Sequence, residues 1–74
     1  MRQIYADLGR NLALLRDEKG YTQSQLARAL RIPQSTYAGY EICLRKMPVD
    51  VLKQIADFFH VSVDYLLREE AEGE

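Results

Sequence analysis

The stretch PQSTYAGYE, Pro33 to Glu41, concentrates the side chains of this chain that could do chemistry, and that chemistry is hydrogen bonding. Gln34 carries an amide that both donates and accepts, and Ser35 and Thr36 add hydroxyls that do the same through a single atom. Tyr37 and Tyr40 follow at a spacing of three, and Gly39 stands where a helix favours alanine by about 1 kcal/mol. Such a segment is either a poorly made helix or a helix whose outer face meets a partner. The rest of the chain offers little for catalysis. His60 is its only histidine and Cys43 its only cysteine, and it has neither paired carboxylates beside a base nor a glycine-rich phosphate loop. No enzyme activity, metal or cofactor is expected.

The elements that must position this segment are helical. Ile4, Leu8, Leu12 and Leu15 recur at steps of four, four and three, which predicts an amphipathic helix ending near DEKG, with Gly20 suited to close it. Thr22 followed by Gln25 has the form of a capping box, and Leu26, Ala27 and Leu30 supply the buried face of a second helix that ends near Arg31. Proline loses no hydrogen bond at a helix start, so a third helix is predicted from Pro33 or Gln34 to about Ile42, with Tyr37 and Tyr40 on its inner face. Pro48 opens a fourth, in which Val51 or Leu52, Ile55, Ala56 and Phe59 keep the helical step until His60. Ser62 caps a short fifth helix with Val63, Leu66 and Leu67 on one side. Five short helices joined by connections of three to seven residues describe a compact all-α domain.

A chain of 74 residues supports one hydrophobic core. The domain is expected over residues 1–68, with an acidic tail, 69–74, expected to be disordered. Ten basic and eleven acidic residues give a net charge of −1, but REEAEGE, from Arg68 on, holds four of the acidic ones. The body is therefore weakly basic, which is compatible with binding phosphates if the positive charges share a face. No apolar run is long enough to span a membrane or act as a signal peptide, and the lone cysteine suits a reducing compartment, so a cytoplasmic protein is expected.

The second and third helices are joined by only about four residues, LRIP, which forces the steep crossing of a helix-turn-helix. Taken together, LALLRDEKGYTQSQLARALRIPQSTYAGYE and LKQIADFFHVSVDYLL resemble the Cro/C1-type (XRE-like) helix-turn-helix domains of phage and bacterial repressors, over roughly residues 4 to 68.

The resemblance implies that Gln34 and Ser35 read base edges of double-stranded DNA, with outward-facing Ala38 a further candidate. The chemistry agrees: a glutamine amide can pair bidentately with adenine, a serine hydroxyl serves several bases, and an alanine methyl can touch a thymine methyl. It further implies phosphate contacts from Gln23, Arg45 and Lys46, while Thr36 offers a methyl for a thymine or a hydroxyl for a phosphate at a position that in the family often packs near the turn. Tyr37 and Tyr40 are read chiefly as core, with the Tyr40 hydroxyl a further candidate for the DNA backbone. Glu41 is expected to pair with Arg16 and lock the third helix to the first, leaving part of the arginine free for phosphate. Two positions depart from the family. Gly39 replaces a longer reading side chain, so it either allows close approach to DNA or confines reading to the first turn. Cys43 stands where the family has a glycine, so the third helix is expected to end differently or run on, with the thiol half-buried.

One such module makes few base contacts, so a transcriptional repressor binding a palindromic operator as a homodimer is the expected function, with Val63, Tyr65 and Leu67 as the dimer contact. If Val63 and Leu67 only complete the core, that contact lies elsewhere. The rival expectation keeps the fold and gives its surface to a protein partner, as in an antitoxin or anti-repressor bound to a toxin or regulator. A DNA-binding antitoxin that represses its own operon would combine the two.

Overall fold

The computed structural model describes residues 4–69. The expected acidic tail lies outside the described residues apart from Glu69. Five α-helices follow one another: α1 Ile4–Glu18, α2 Gln23–Leu30, α3 Gln34–Glu41, α4 Val49–Phe59 and α5 Val63–Leu67. α1 packs against α3 and α5, α2 against α3, and α4 against α5.

The helical spacing seen in the sequence is what closes the core. Leu8, Leu12 and Leu15 of α1, Leu26 and Leu30 of α2, Tyr37 of α3, Ile55 and Phe59 of α4 and Leu66 of α5 are all buried. Ile4, at the start of α1, is exposed instead. Gly9 marks the crossing of α1 and α3. A Cβ at Gly9 would lie 2.5 Å from the Glu41 carbonyl oxygen and 2.9 Å from that of Tyr40, so only glycine lets the two backbones meet there.

Asn11 shares this buried face, and its amide donates to the carbonyls of Leu66 (2.8 Å) and Arg68 (2.7 Å) at the end of α5. These bonds satisfy carbonyls that a helix C-terminus leaves open, and they tie the shortest helix to the longest. Tyr21, Phe58 and Phe59 complete the core's edge, meeting edge-to-face with ring centroids 5.0 to 5.8 Å apart.

Start and stop signals behave as capping chemistry requires. At α2, Thr22 Oγ1 accepts from the Gln25 amide at 3.0 Å and the Gln25 side chain accepts from the Thr22 amide at 2.9 Å. The Ser62 hydroxyl caps α5 in the same way, accepting from the Tyr65 amide.

Four helices end alike, on a residue of positive φ: Gly20 at 83°, Arg31 at 63°, Cys43 at 64° and His60 at 58°. In each case that residue and the next donate back into the last turn. After α3, the Cys43 amide reaches the Tyr40 carbonyl and the Leu44 amide the Gly39 carbonyl, the paired bonds of a Schellman motif. The expectation that Cys43 would make α3 end differently or run on is therefore corrected. The cysteine adopts the glycine conformation, because two backbone bonds offset a steric cost of about 1 to 2 kcal/mol. Its thiol is exposed rather than half-buried, and it donates to the Tyr5 carbonyl at 3.2 Å.

Candidate nucleic-acid interface

α2 and α3 are separated by Arg31, Ile32 and Pro33 alone. Left-handed Arg31 turns the chain, Ile32 packs partly buried against the core, and extended Pro33 starts α3 without a side-chain cap. The consequence is a helix whose first turn projects outward: Gln34 and Ser35 are exposed, Thr36 and Ala38 are half-buried, and Tyr37 lies in the core.

The far end of α3 is anchored through Glu41, whose carboxylate accepts four hydrogen bonds. Oε2 takes the Arg16 Nε at 2.6 Å and the Tyr37 hydroxyl at 2.5 Å, and Oε1 takes the Gln23 amide at 2.9 Å and the Arg16 Nη2 at 3.3 Å. The carboxylate thus joins α1, α2 and α3 at a single group. Burial pushes the Glu41 carboxyl up, but the hydrogen bonds from Arg16, Tyr37 and Gln23 outweigh it and hold the group below its ordinary range. Burial, then the bond to Glu41, raises the Tyr37 hydroxyl well above the usual tyrosine value. The hydrogen bond to Glu41 likewise raises Arg16, against the opposing effect of its own burial. A carboxylate that would repel phosphate is in this way neutralised where it stands.

This arrangement draws on two side chains that are also expected at phosphate. All three Arg16 nitrogens donate within the protein, the third to the Tyr21 carbonyl at 2.7 Å, and the side chain is 17 % exposed against 6 % for Glu41. Arg16 thus fills the structural role expected of the pair, with two of its five N–H groups outside these bonds. Gln23 likewise gives one of its two amide N–H groups to Glu41. Tyr40, 7 % exposed, belongs to the core, which works against a phosphate contact. Lys46 keeps its exposure and sits 5.9 Å from the centre of the Tyr5 ring, at the outer limit of a cation–π contact.

Gly39 carried two readings from the sequence, close approach to DNA or base reading confined to the first turn of α3. It is not open to a partner but buried under Arg45: a Cβ at Gly39 would lie 3.2 Å from both Cγ and Cδ of that arginine. Gly9, Asn11 and the Gln23 and Tyr37 bonds to Glu41 were missed as functional supports. For the first two a signal existed, since a mid-helix glycine and an asparagine on an apolar stripe both break the local pattern.

On α5, Val63 and Leu67 pack partly buried against the core, while Tyr65 is exposed, its ring covered by the Arg68 guanidinium at 3.9 Å.

The geometry of a short-turn helix pair with a polar, projecting second helix has counterparts among known proteins. A family model described as helix-turn-helix matches residues 12–66. The chain belongs to the Cro/C1-type helix-turn-helix family. Within the family, it is 43 % identical over 56 residues to a Bacillus subtilis protein named "Uncharacterized HTH-type transcriptional regulator YobD", covering 76 % of this chain and 50 % of that one. It is 37 % identical over 60 residues to the HTH-type transcriptional regulator ImmR of the same organism, covering 81 % of this chain and 47 % of ImmR. With the HTH-type transcriptional regulator AnsR, also from B. subtilis, it shares 39 % identity over 59 residues, 80 % of this chain and 51 % of AnsR. The chain spans about half the length of these relatives. Among the described residues, no helix is long and apolar enough to cross a membrane.

Proposed function

We propose that this helix-turn-helix domain binds double-stranded DNA sequence-specifically and regulates transcription, as a cytoplasmic repressor that occupies a palindromic operator as a homodimer. The observation that carries the reading is the exposed polar first turn of α3, Gln34 and Ser35, presented by a helix whose other end is fixed through Glu41 to α1 and α2. A side chain that reads a base edge has to be held in place before contact, and a four-bonded carboxylate behind α3 does that. In this reading Gln34, Ser35 and Ala38 face base edges in the major groove, and Lys46 and Thr36 meet phosphate. The names of the relatives, which describe transcriptional regulators, support the same class.

Dimerisation follows from the size of the surface, because one module with three reading positions discriminates weakly and two half-sites about one helical turn apart multiply the effect. Tyr65 is then the α5 residue best placed for a partner copy, Val63 and Leu67 being turned largely to the core.

A second reading is favoured by one observation. Ile42 and Leu44 after α3 and Val49 at the start of α4 are 69 %, 75 % and 80 % exposed, and so much open apolar surface suits a protein partner such as a toxin or a regulator. Titrating DNA fragments at several salt concentrations separates the two. DNA binding predicts affinity that falls steeply and log-linearly as salt rises. No binding even at about 50 mM salt would leave the protein-partner reading in its place.

A further inference from the structure

Arg45 lies where a side chain at position 39 would be. Ser35, Gly39 and Ile42, spaced at four and three, share one side of α3. The turn at left-handed Cys43 folds the chain back over that side, and the Gly39 carbonyl accepts from both the Leu44 amide (2.9 Å) and the Arg45 amide (3.3 Å). The stem of Arg45 then runs across the glycine, with Cγ and Cδ 3.2 Å and Nε 3.5 Å from the point a Cβ would occupy. The residue nevertheless stays exposed, and among the described residues its guanidinium makes no hydrogen bond or ion pair with the protein. A positive fork, free to bond, is therefore carried on the recognition helix one turn beyond Ser35.

We propose that Arg45, seated on Gly39, supplies the base-edge contact that α3 otherwise lacks beyond its first turn, and that the base it reads is guanine. This deepens the DNA-binding reading and rests on it. Arginine matches the two acceptors on the guanine major-groove edge with two parallel donors held in a planar fork. Glycine at position 39 is the requirement for it: a larger side chain there would push the arginine stem off the helix. The connector thus provides through space what the helix omits from its sequence.

The test is selection of bound sequences from random double-stranded DNA by the full chain and by the variants Arg45→Ala and Gly39→Leu, each first shown by circular dichroism to melt cooperatively. The full chain should enrich a guanine at one position of each half-site by about ten-fold or more. Both variants should lose that preference to below about two-fold while keeping the preference set by Gln34. The double variant Gly39→Leu, Arg45→Ala should be no worse than either single change, since both remove one contact. If Arg45→Ala weakens all sequences equally and keeps the guanine, the arginine meets phosphate and the proposal falls. Additive losses in the double variant would show that Gly39 is not the seat, which also overturns it. No enrichment of any sequence by the full chain would remove the DNA-binding reading itself, a failure distinct from the loss of the guanine alone.

Discussion

Glu41 and Arg16, 25 residues apart in sequence, meet at 2.6 Å and fasten the base of α3 to α1. Both side chains are largely withdrawn from solvent, so the pair is worth most when neither partner is missing. Glu41→Ala would leave a poorly solvated guanidinium and two orphaned donors, from Gln23 and Tyr37. A loss of about 3 kcal/mol is expected, the lower end for breaking a buried pair. Urea unfolding measures it, and a change under about 1 kcal/mol would show that the network is not what holds α3.

The same group sets the acid limb of stability. Its folded-state pKa lies below the ordinary carboxylate value, so its contribution is complete above the unfolded-state value, near 4.5, and is lost as pH falls through the folded-state value. Tyr37 acts with the opposite sign. Its pKa is raised from 10.0, so its contribution is complete below pH 10 and declines above it. Melting temperature against pH should therefore fall at both ends. Glu41→Gln should flatten the acid limb, and Tyr37→Phe the alkaline one. Unchanged limbs in these variants would place the titrating groups elsewhere.

Two glycines should respond in opposite ways to the same methyl group. Gly9→Ala presses a Cβ onto the Glu41 and Tyr40 carbonyls, which are backbone and cannot swing aside, and should cost about 1 to 3 kcal/mol or more. Gly39→Ala meets only the flexible stem of Arg45 and gains helix propensity of up to about 1 kcal/mol. Thermal melts of the two variants should move in opposite directions, and equal losses would contradict the distinction between a rigid and a yielding neighbour.

Cys43→Gly removes the steric cost of a positive φ and should stabilise the domain by up to about 1 kcal/mol, after the greater freedom of glycine in the unfolded chain is discounted. Denaturation midpoints decide this. A destabilised variant would mean that the thiol contact to the Tyr5 carbonyl outweighs the backbone strain.

Asn11→Ala strips two hydrogen bonds from the end of α5 and should cost about 2 to 3 kcal/mol, with faster amide exchange concentrated in that helix. Exchange accelerated uniformly over the domain would argue that the asparagine supports the whole core instead.

For the interface, Gln34→Ala should relax the base preference at one position of each half-site, at a cost of about 1 to 3 kcal/mol on specific DNA. Lys46→Ala should instead weaken specific and random DNA alike and reduce the salt slope by about one. Equal behaviour of the two variants in competition binding would show that Gln34 does not read a base.

The sequence by itself determined the five helices and most of their ends and inward faces, though not the close of α3 on Cys43 or the exposure of Ile4. Periodicity, capping residues and prolines act over a few neighbours and need no third dimension: Leu12, Leu26 and Ile55 announce their burial through spacing, and Thr22 with Gln25 announces a helix start. It also marked the exposed turn at Gln34 and Ser35, and it paired Arg16 with Glu41 by resemblance. Only the tertiary structure decided how these polar groups share one another. Glu41 takes bonds from two further residues, Asn11 closes a helix 55 residues away, and Arg45 lies on Gly39. Each of these depends on the distance between segments remote in sequence, and a free polar group and a satisfied one look the same in sequence. Gly39, which looked like a gap in a reading helix, is the floor on which another residue rests.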